Sequence, residues 1–165
     1  MNYLKRNNMA LKESKVRLYE DGESHYYINE NNKKISGVTD LLKRHGLAPD
    51  YDNIPPRILK EAAHRGSVIH AECQMWDMGG FEPSTLDGMA YKDLKLSVMA
   101  NEFLVSYKDI VATKIDVILA DYSVCDIKTT SKLNIEYVTW QCSIGAYMLE
   151  KQCNIRVHYI YLVLS

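Results

Sequence analysis

The order of apolar and polar residues predicts a β-hairpin near the amino terminus. Residues 15–35 contain short apolar and aromatic runs that are interrupted at Asp21-Gly22 and in the asparagine-rich segment 29–32. Both interruptions have the composition of tight turns, and the runs between them are typical of strands. We therefore expect this segment to fold back on itself.

A short helix is predicted directly after the hairpin, over residues 36–46. Ser36 or Thr39 is placed to cap its first turn, and His45-Gly46 is placed to end it. The hairpin and this helix together form an amino-terminal unit of about residues 15–46.

Two longer helices are predicted in the middle of the chain. Residues 57–78 carry apolar side chains at a spacing close to 3.6, which predicts one helix, or two helices that break near Arg65-Gly66. Ser84 and Asp87 have the spacing of a capping box, so a further helix is expected from there to about residue 101.

The carboxyl-terminal half has the composition of a sheet that is covered by helices. Strand-like runs at 102–107 and 111–128 are followed by a helical pattern over 133–151 and by a last strand at 155–164. A turn at residues 120–122 makes the two strands within 111–128 an antiparallel pair. We predict one α/β (α+β) domain over residues 1–165, with a central mixed β-sheet flanked by helices and a core over about 56–165.

Composition adds limits on charge and compartment. The chain has 20 basic and 21 acidic residues and a net charge of −1, so attraction to nucleic acid has to come from a local patch. Its four cysteines are far apart and form no CxxC pair, as in proteins with reduced thiols rather than zinc sites. No apolar run has the length of a membrane span. We expect a cytoplasmic location and no membrane partner.

Three charged residues on the predicted antiparallel strands are the main candidates for chemistry. Asp126 and Lys128 project from the same strand face, and Asp116 on the neighbouring strand lies across from them. Two close carboxylates repel each other unless a cation lies between them, and hard oxygen ligands favour Mg²⁺ or Mn²⁺. Such an ion polarises phosphoryl oxygens and activates water, while a lysine neutralises developing charge. The catalytic candidates Asp116, Asp126 and Lys128 therefore predict metal-dependent hydrolysis of phosphodiesters.

The order of these and other motifs resembles the PD-(D/E)XK nuclease superfamily, especially its RecB-like and phage exonuclease branches. Asp116 in KIDVIL resembles the first aspartate of the family, and DIKTT at residues 126–130 resembles its D-x-K core. His70 in AAHRGSVIHAE resembles its helix-borne histidine, and Gln141 in WQCSIGAYMLE resembles the glutamine of its QxxxY box. The upstream segment YYINENNKKISGVTDLL resembles the hairpin and short helix that open many phage members.

The resemblance implies a restriction-endonuclease-like core that holds a metal ion. The implied metal ligands are His70, Asp116, Asp126 and the main-chain carbonyl of Ile127. Glu102 stands near the place of an additional motif glutamate in some members.

The sequence also departs from the family pattern. Thr113 and Lys114 occupy the place of a glycine that usually precedes the first aspartate. Gly145 stands where the tyrosine of the QxxxY box is expected, and Tyr147 follows two residues later. Accessory candidates are Glu102, Gln141 and Tyr147.

Candidate contacts to DNA phosphates surround the predicted site. They are Arg65, Lys114, Thr129, Thr130 and Lys132. Lysines on strand edges are also often only solvated. Residues 26–28 of the hairpin, Tyr-Tyr-Ile, are interpreted as packing residues rather than as a base-stacking platform.

The leading hypothesis is a Mg²⁺-dependent, exonuclease-like deoxyribonuclease that acts in phage-type recombination or DNA processing, in a bacterial host cell if the chain is phage-derived. The alternative is a nuclease-fold protein with weak or absent turnover that binds nucleic acid or a protein partner, as a subunit or an inhibitor. A homo-oligomer or a partner subunit would complete the DNA channel. In a third hypothesis the domain has a structural or interaction role unrelated to nucleic acid, and Asp126 and Lys128 are a surface ion pair.

Overall fold

The computed structural model describes residues 10–21, 24–130 and 132–163. In that part of the chain the strands are β1 (Arg17–Asp21), β2 (Ser24–Ile28), β3 (Lys34–Gly37), β4 (Val98–Tyr107), β5 (Val111–Leu119), β6 (Val124–Lys128) and β7 (Tyr159–Val163). The helices are α1 (Val38–Arg44), α2 (Pro56–Gly79), α3 (Leu86–Asp93) and α4 (Ile135–Cys153). Among the described residues, no helix combines the length and the apolar character that a membrane span requires.

The strands form a mixed sheet in the order β1-β2-β3-β5-β6-β7, and β4 pairs with β5 outside this order. β1, β2 and β3 are antiparallel neighbours, so the predicted hairpin is confirmed and extends into a third strand. β5 and β6 form the predicted antiparallel pair, and β7 lies parallel to β6. The predicted fold class, an α+β domain with a central mixed sheet and an amino-terminal hairpin, is confirmed.

β5 is the central strand because it pairs with three other strands, β3, β4 and β6. One edge pairs with β4 over almost its whole length. The other edge is shared, since β3 pairs with Val111 and Ala112 at its start and β6 pairs with Val117 and Ile118 near its end. Residues 113–116 have no ladder partner on this second edge among the described residues. The sheet therefore opens between β3 and β6.

Helices cover both faces of the sheet. Neighbouring residues of a strand point to opposite faces, and Val117 of β5 packs with α2 and α3 whereas Ile118 packs with α1 and α4. On the α2 side, Ile69 and Cys73 are almost completely buried against the sheet. This packing sets α2 directly over β5 and β6.

The helix boundaries confirm some sequence signals and correct others. Gly37 is the N-cap residue of α1, and no side chain caps the helix, so the predicted caps Ser36 and Thr39 are wrong. The predicted stop is confirmed, because His45 is the C-cap and Gly46 has a φ of +69°. α2 is one continuous helix through residues 65–66.

The third predicted helix is too long and has the wrong cap. α3 is capped by Thr85, whose side chain accepts a hydrogen bond from the N–H of Gly88. The hydroxyls of Ser84 and Thr85 both donate to Glu72, and of the two it is Thr85 that lies at the N-cap position. α3 ends at Asp93, and the residues from Val98 onward form β4, because pairing along β5 overrides the helical pattern.

The contact of α2 with the sheet leads to a stability prediction. Ile69 is 1% exposed, so Ile69→Ala should lower the free energy of unfolding by about 2–5 kcal/mol through lost burial and a cavity. The adjacent Val68 is 37% exposed, and Val68→Ala should change the free energy of unfolding by only roughly 0.5 kcal/mol. Denaturant unfolding curves of both variants measure the difference. Equal losses would contradict the described orientation of α2.

Candidate metal centre

A cleft of about 610 Å³ lies where β3 and β6 separate along β5. Its floor is formed by residues 113–116 of β5 and by all of β6. Residues of α2 and α4 form walls, and Tyr51 and Ile54 contribute from the loop before α2. We did not predict the apolar residues of this wall from the sequence, because they belong to no recognisable motif.

The peptide groups of Ile127 hold two side chains of the site in place. The carbonyl oxygen of Ile127 accepts a hydrogen bond from His70 Nε2 at 3.0 Å, and its N–H donates to Asp116 Oδ2 at 2.7 Å. Because a carbonyl oxygen only accepts, Nε2 of His70 carries a proton. His70 therefore presents Nδ1 to the neighbouring carboxylates. The resemblance predicted that the Ile127 carbonyl binds the metal, whereas here it binds and orients His70.

Three side chains bring potential metal ligands together. His70 Nδ1 lies 3.7 Å from Asp116 Oδ1 and 3.8 Å from Glu102 Oε1. One ligand atom from each of the three residues lies within 4.8 Å of the other two. Oxygen-binding cations sit at about 2.0–2.6 Å from their ligands, so this spacing can accommodate one ion.

Glu102 joins this cluster through an unusual backbone conformation. The register of β4 and β5 sets it opposite Asp116, since Asn101 pairs with Val117 and Phe103 pairs with Ile115. Its φ is +48°, in the left-handed region, although it lies inside a strand. Such a conformation costs on the order of 1–3 kcal/mol for a residue with a side chain and is typical of functional sites.

Asp126 lies near this cluster but is not one of its three members. The antiparallel pair Val117 and Cys125 places Asp116 and Asp126 next to each other across β5 and β6. Lys128 Nζ lies 2.8 Å from Asp126 Oδ2. The structure thus brings the predicted catalytic residues to one cleft, and it pairs Asp126 with the lysine while Asp116 faces His70 and Glu102.

Burial and charge change the protonation of the cluster. Burial, followed by the charge of Asp126, raises the pKa of Asp116 to about 6. Burial alone would lower the pKa of His70, but the contacts with Glu102 and Asp116 raise it above its ordinary value. Protons and a cation therefore compete for the cluster, since both shifts favour the protonated forms.

Two lysines are held inside the site by carboxylates. Lys114 Nζ lies 2.6 Å from Glu102 Oε2 and 3.8 Å from Glu20 Oε1. Burial opposes the charge of Lys114, yet these carboxylates raise its pKa. The pKa of Lys128 is raised in the same way by Asp126 against the effect of burial. Lys114, a predicted phosphate contact, is therefore engaged with Glu102.

The accessory candidates on α4 have different positions. Gln141 lines the cleft, where its Nε2 donates to the hydroxyl of Tyr137 at 3.1 Å and its Oε1 is buried without a hydrogen-bond partner among the described residues. Tyr147 lies outside the cleft and packs edge-on against Tyr107, with the ring centroids 5.3 Å apart. Tyr147 follows Gln141 by six residues, which is a full helical turn plus roughly 240°, so the two side chains leave α4 in different directions. Gly145 follows Gln141 by four residues, lies on nearly the same side of the helix, and lines the cleft.

The remaining predicted DNA contacts are divided between the cleft and its surroundings. Thr129 and Thr130 line the cleft. Lys132 is exposed, and its N–H donates to Thr130 Oγ1 at 3.3 Å. Arg65 is paired with Asp87 of α3 at 2.7 Å, because α2 and α3 pack side by side there.

Known proteins supply no relative with which this arrangement can be compared. No protein-family model, no curated protein and no solved structure matches the chain. The function therefore has to be inferred from the contacts of the chain's own side chains, and the resemblance to the nuclease superfamily stays a prediction.

Proposed function

We propose that this chain is a divalent-cation-dependent nuclease that hydrolyses phosphodiester bonds of DNA, with an exonuclease-like action. The observation that supports it best is the convergence of His70, Glu102 and Asp116 on potential metal-ligand spacing. His70 and Asp116 line the same cleft as the Asp126–Lys128 pair, and Glu102 reaches them from β4. Near-neutral pKa values at clustered acidic groups are common at catalytic sites.

The donor atoms of the cluster fit Mg²⁺ or Mn²⁺. Carboxylate oxygens are hard ligands, and an imidazole nitrogen among them is a ligand that Mn²⁺ accepts well. Burial first, and then the neighbouring charge of Asp126, raises the pKa of Asp116, and a bound cation would favour its ionised form. His70, Glu102 and Asp116 would hold the ion, with Asp126 close by. When bound, the ion would supply polarisation of a phosphoryl oxygen and a more acidic water.

The chain's own residues would perform the rest of the work. The Ile127 carbonyl keeps His70 in one orientation, so that Nδ1 stays directed at the cluster. Lys128 is already charged and beside Asp126, where it can neutralise negative charge that develops on a phosphate. Thr129 and Thr130 offer hydroxyl groups on the cleft wall for phosphate oxygens.

A specific observation also supports the second candidate, a binding protein without turnover. Lys114 forms an ion pair with Glu102, and Lys128 forms one with Asp126. A protonated His70 would neutralise the charge of Asp116. Three carboxylates would then face three positive charges without any metal. In this case the cleft would be a stable ion-pair network, and cations would bind weakly or not at all.

Metal binding and its pH dependence distinguish these two candidates. A bound ion needs Asp116 ionised and His70 neutral, and both have raised pKa values, so protons compete with the ion as the pH falls. The affinity for Mn²⁺ should therefore be much higher at about pH 8 than at about pH 5.5, below both pKa values. Isothermal titration calorimetry of the metal-free protein with Mn²⁺ measures the affinity at both pH values.

The matched variants for this titration are Glu102→Gln and Glu82→Gln. Removal of a residue that only orients a metal ligand commonly lowers metal affinity roughly 10–100-fold. Glu102 is proposed as a ligand itself, so Glu102→Gln should lower the affinity for Mn²⁺ at least as much. Glu82 is an exposed acid paired with Lys92 outside the cleft, so its variant should bind Mn²⁺ as the parent does. Equal affinity at both pH values, or in both variants, would rule out this metal centre.

Asp126→Asn should abolish Mg²⁺-dependent cleavage of linear DNA while the protein stays folded. The change keeps the shape of the side chain but removes the charge that adjoins Asp116 and Lys128. The measurement is release of nucleotides from labelled DNA in Mg²⁺, with EDTA as the metal-free control and circular dichroism for folding. Full activity of the variant would refute the proposed mechanism.

Lys128→Ala tests the role of the cleft lysine. A group that stabilises charge only in the transition state commonly contributes on the order of 100- to 1,000-fold to turnover, so turnover should fall by that factor. DNA affinity at fixed salt should change little, since one phosphate contact is a modest part of binding. Lys43→Ala, at an exposed lysine of α1 outside the cleft, is the control. Weaker binding with unchanged turnover would make Lys128 a simple backbone contact.

A further inference from the structure

The three amino-terminal strands have one buried face and one outer face. Leu18, Tyr27 and Ile35 pack into a cluster with Val16 and Ala112 on the buried face. Side chains alternate along each strand, so Arg17 and Tyr19 of β1, Tyr26 of β2 and Lys34 of β3 belong to the other face. Arg17, Tyr19 and Lys34 are exposed on this face, and α1, which contacts β3, directly follows that strand in the chain.

The outer face carries two stacked aromatic rings between two cations. Tyr19 and Tyr26 are direct cross-strand partners, and their rings are 5.7 Å apart with planes only 11° from parallel. The Arg17 guanidinium lies 5.7 Å from the centre of the Tyr19 ring, and Lys34 Nζ lies 4.8 Å from the centre of the Tyr26 ring. We call Arg17, Tyr19, Tyr26 and Lys34 the tyrosine row.

The two cations of the tyrosine row form no ion pair within the described part of the chain. Among the described residues, neither Arg17 nor Lys34 lies within ion-pair distance of a carboxylate, and Arg17 donates instead to the neutral Asn32 Oδ1 at 2.6 Å. The lysines near it differ, since Lys15 pairs with Glu30 at 3.0 Å and Lys114 pairs with Glu102. In the described part of the chain, these two cations are therefore open to an anionic ligand.

We propose that the tyrosine row is a binding site for single-stranded DNA. Unpaired bases expose flat π faces that stack on tyrosine rings, and the sugar-phosphate backbone supplies the negative charge that Arg17 and Lys34 lack. Tyr19 is 39% exposed, and a base would stack on its ring in place of the Arg17 guanidinium, which would then be released toward the phosphates. Duplex DNA keeps its bases stacked on one another, so it cannot use the rings in this way.

The tyrosine row adjoins the candidate metal centre across β1. Glu20 follows Tyr19 and points to the opposite face, where its Oε1 lies 3.8 Å from Lys114 Nζ. With His70, Glu102 and Lys114, Glu20 lines a groove of about 680 Å³. β1 is the edge strand of the described sheet, so a DNA strand that passes over this edge would reach that groove.

A simpler account is that the ring pair only stabilises the hairpin. Cross-strand aromatic pairs contribute about 0.2–1 kcal/mol to a sheet without any ligand. That account predicts a stability loss on substitution but no effect on DNA binding. The two accounts are separated by measuring binding and folding on the same variants.

The test is fluorescence anisotropy with a labelled oligothymidylate in EDTA, so that its result does not depend on cleavage. Tyr19→Ala with Tyr26→Ala should weaken binding at least about tenfold, since stacking of one base contributes roughly 1–3 kcal/mol. Tyr19→Phe with Tyr26→Phe keeps the rings and should bind as the parent does. Phe81→Ala, at a 62% exposed aromatic residue elsewhere, is the control and should have no effect. Affinity for a duplex should be the same in all variants.

The cations are tested by salt dependence. Arg17→Gln with Lys34→Gln leaves the rings in place and should reduce the slope of log affinity against log salt by about 1.4, for two phosphate contacts on a single strand. The proposal is overturned if the parent does not bind the oligonucleotide, or if the folded double alanine variant binds as tightly as the parent. Should the alanine variant fail to fold, an unchanged salt slope in the glutamine variant overturns it as well.

Discussion

Two hydrogen bonds of the Ile127 peptide group determine the geometry of the candidate metal centre. The ladder between β5 and β6 contains only the pairs Val117–Cys125 and Ile118–Val124, and Ile127 lies beyond it. Buried peptide groups need partners, and here side chains from α2 and β5 take the place of a strand. His70 and Asp116 are thereby fixed to the same residue, although 46 positions of sequence separate them.

The same opening in the sheet explains the electrostatics of the site. Where the ladder ends, the cleft admits the charged side chains of Lys114, Asp126 and Lys128 between strand residues that are otherwise apolar. Glu102 contacts Lys114 from the groove on the β4 side. Burial makes each of these charges costly unless it is paired. Pairing satisfies the lysines, whereas Asp116 keeps its proton to a higher pH than an ordinary aspartate. The carboxylates of the site can therefore be neutralised either by the neighbouring lysines and a proton or by a bound cation.

Other features required the tertiary structure because they depend on contacts between distant segments. Residues 98–101 have a helical pattern by themselves, and only pairing with β5 makes them part of β4. Lys114 stands beside Asp116 in the sequence, yet its partner Glu102 comes from the adjacent strand. Tyr19 and Tyr26 form a stacked pair on the outer face, while the sequence suggested only that residues 26–28 pack within the hairpin.

Local patterns in the sequence determined the order of strands and helices, the antiparallel pair β5–β6, and the place of Asp116, Asp126 and Lys128 on it. These follow from side-chain alternation and turn chemistry, which act over a few residues. Only the tertiary structure decided that Glu102 joins His70 and Asp116, that Ile127 holds both through its peptide groups, and that Tyr147 lies away from the cleft. Each depends on how β4, β6, α2 and α4 pack around β5, and that packing is a property of the whole chain.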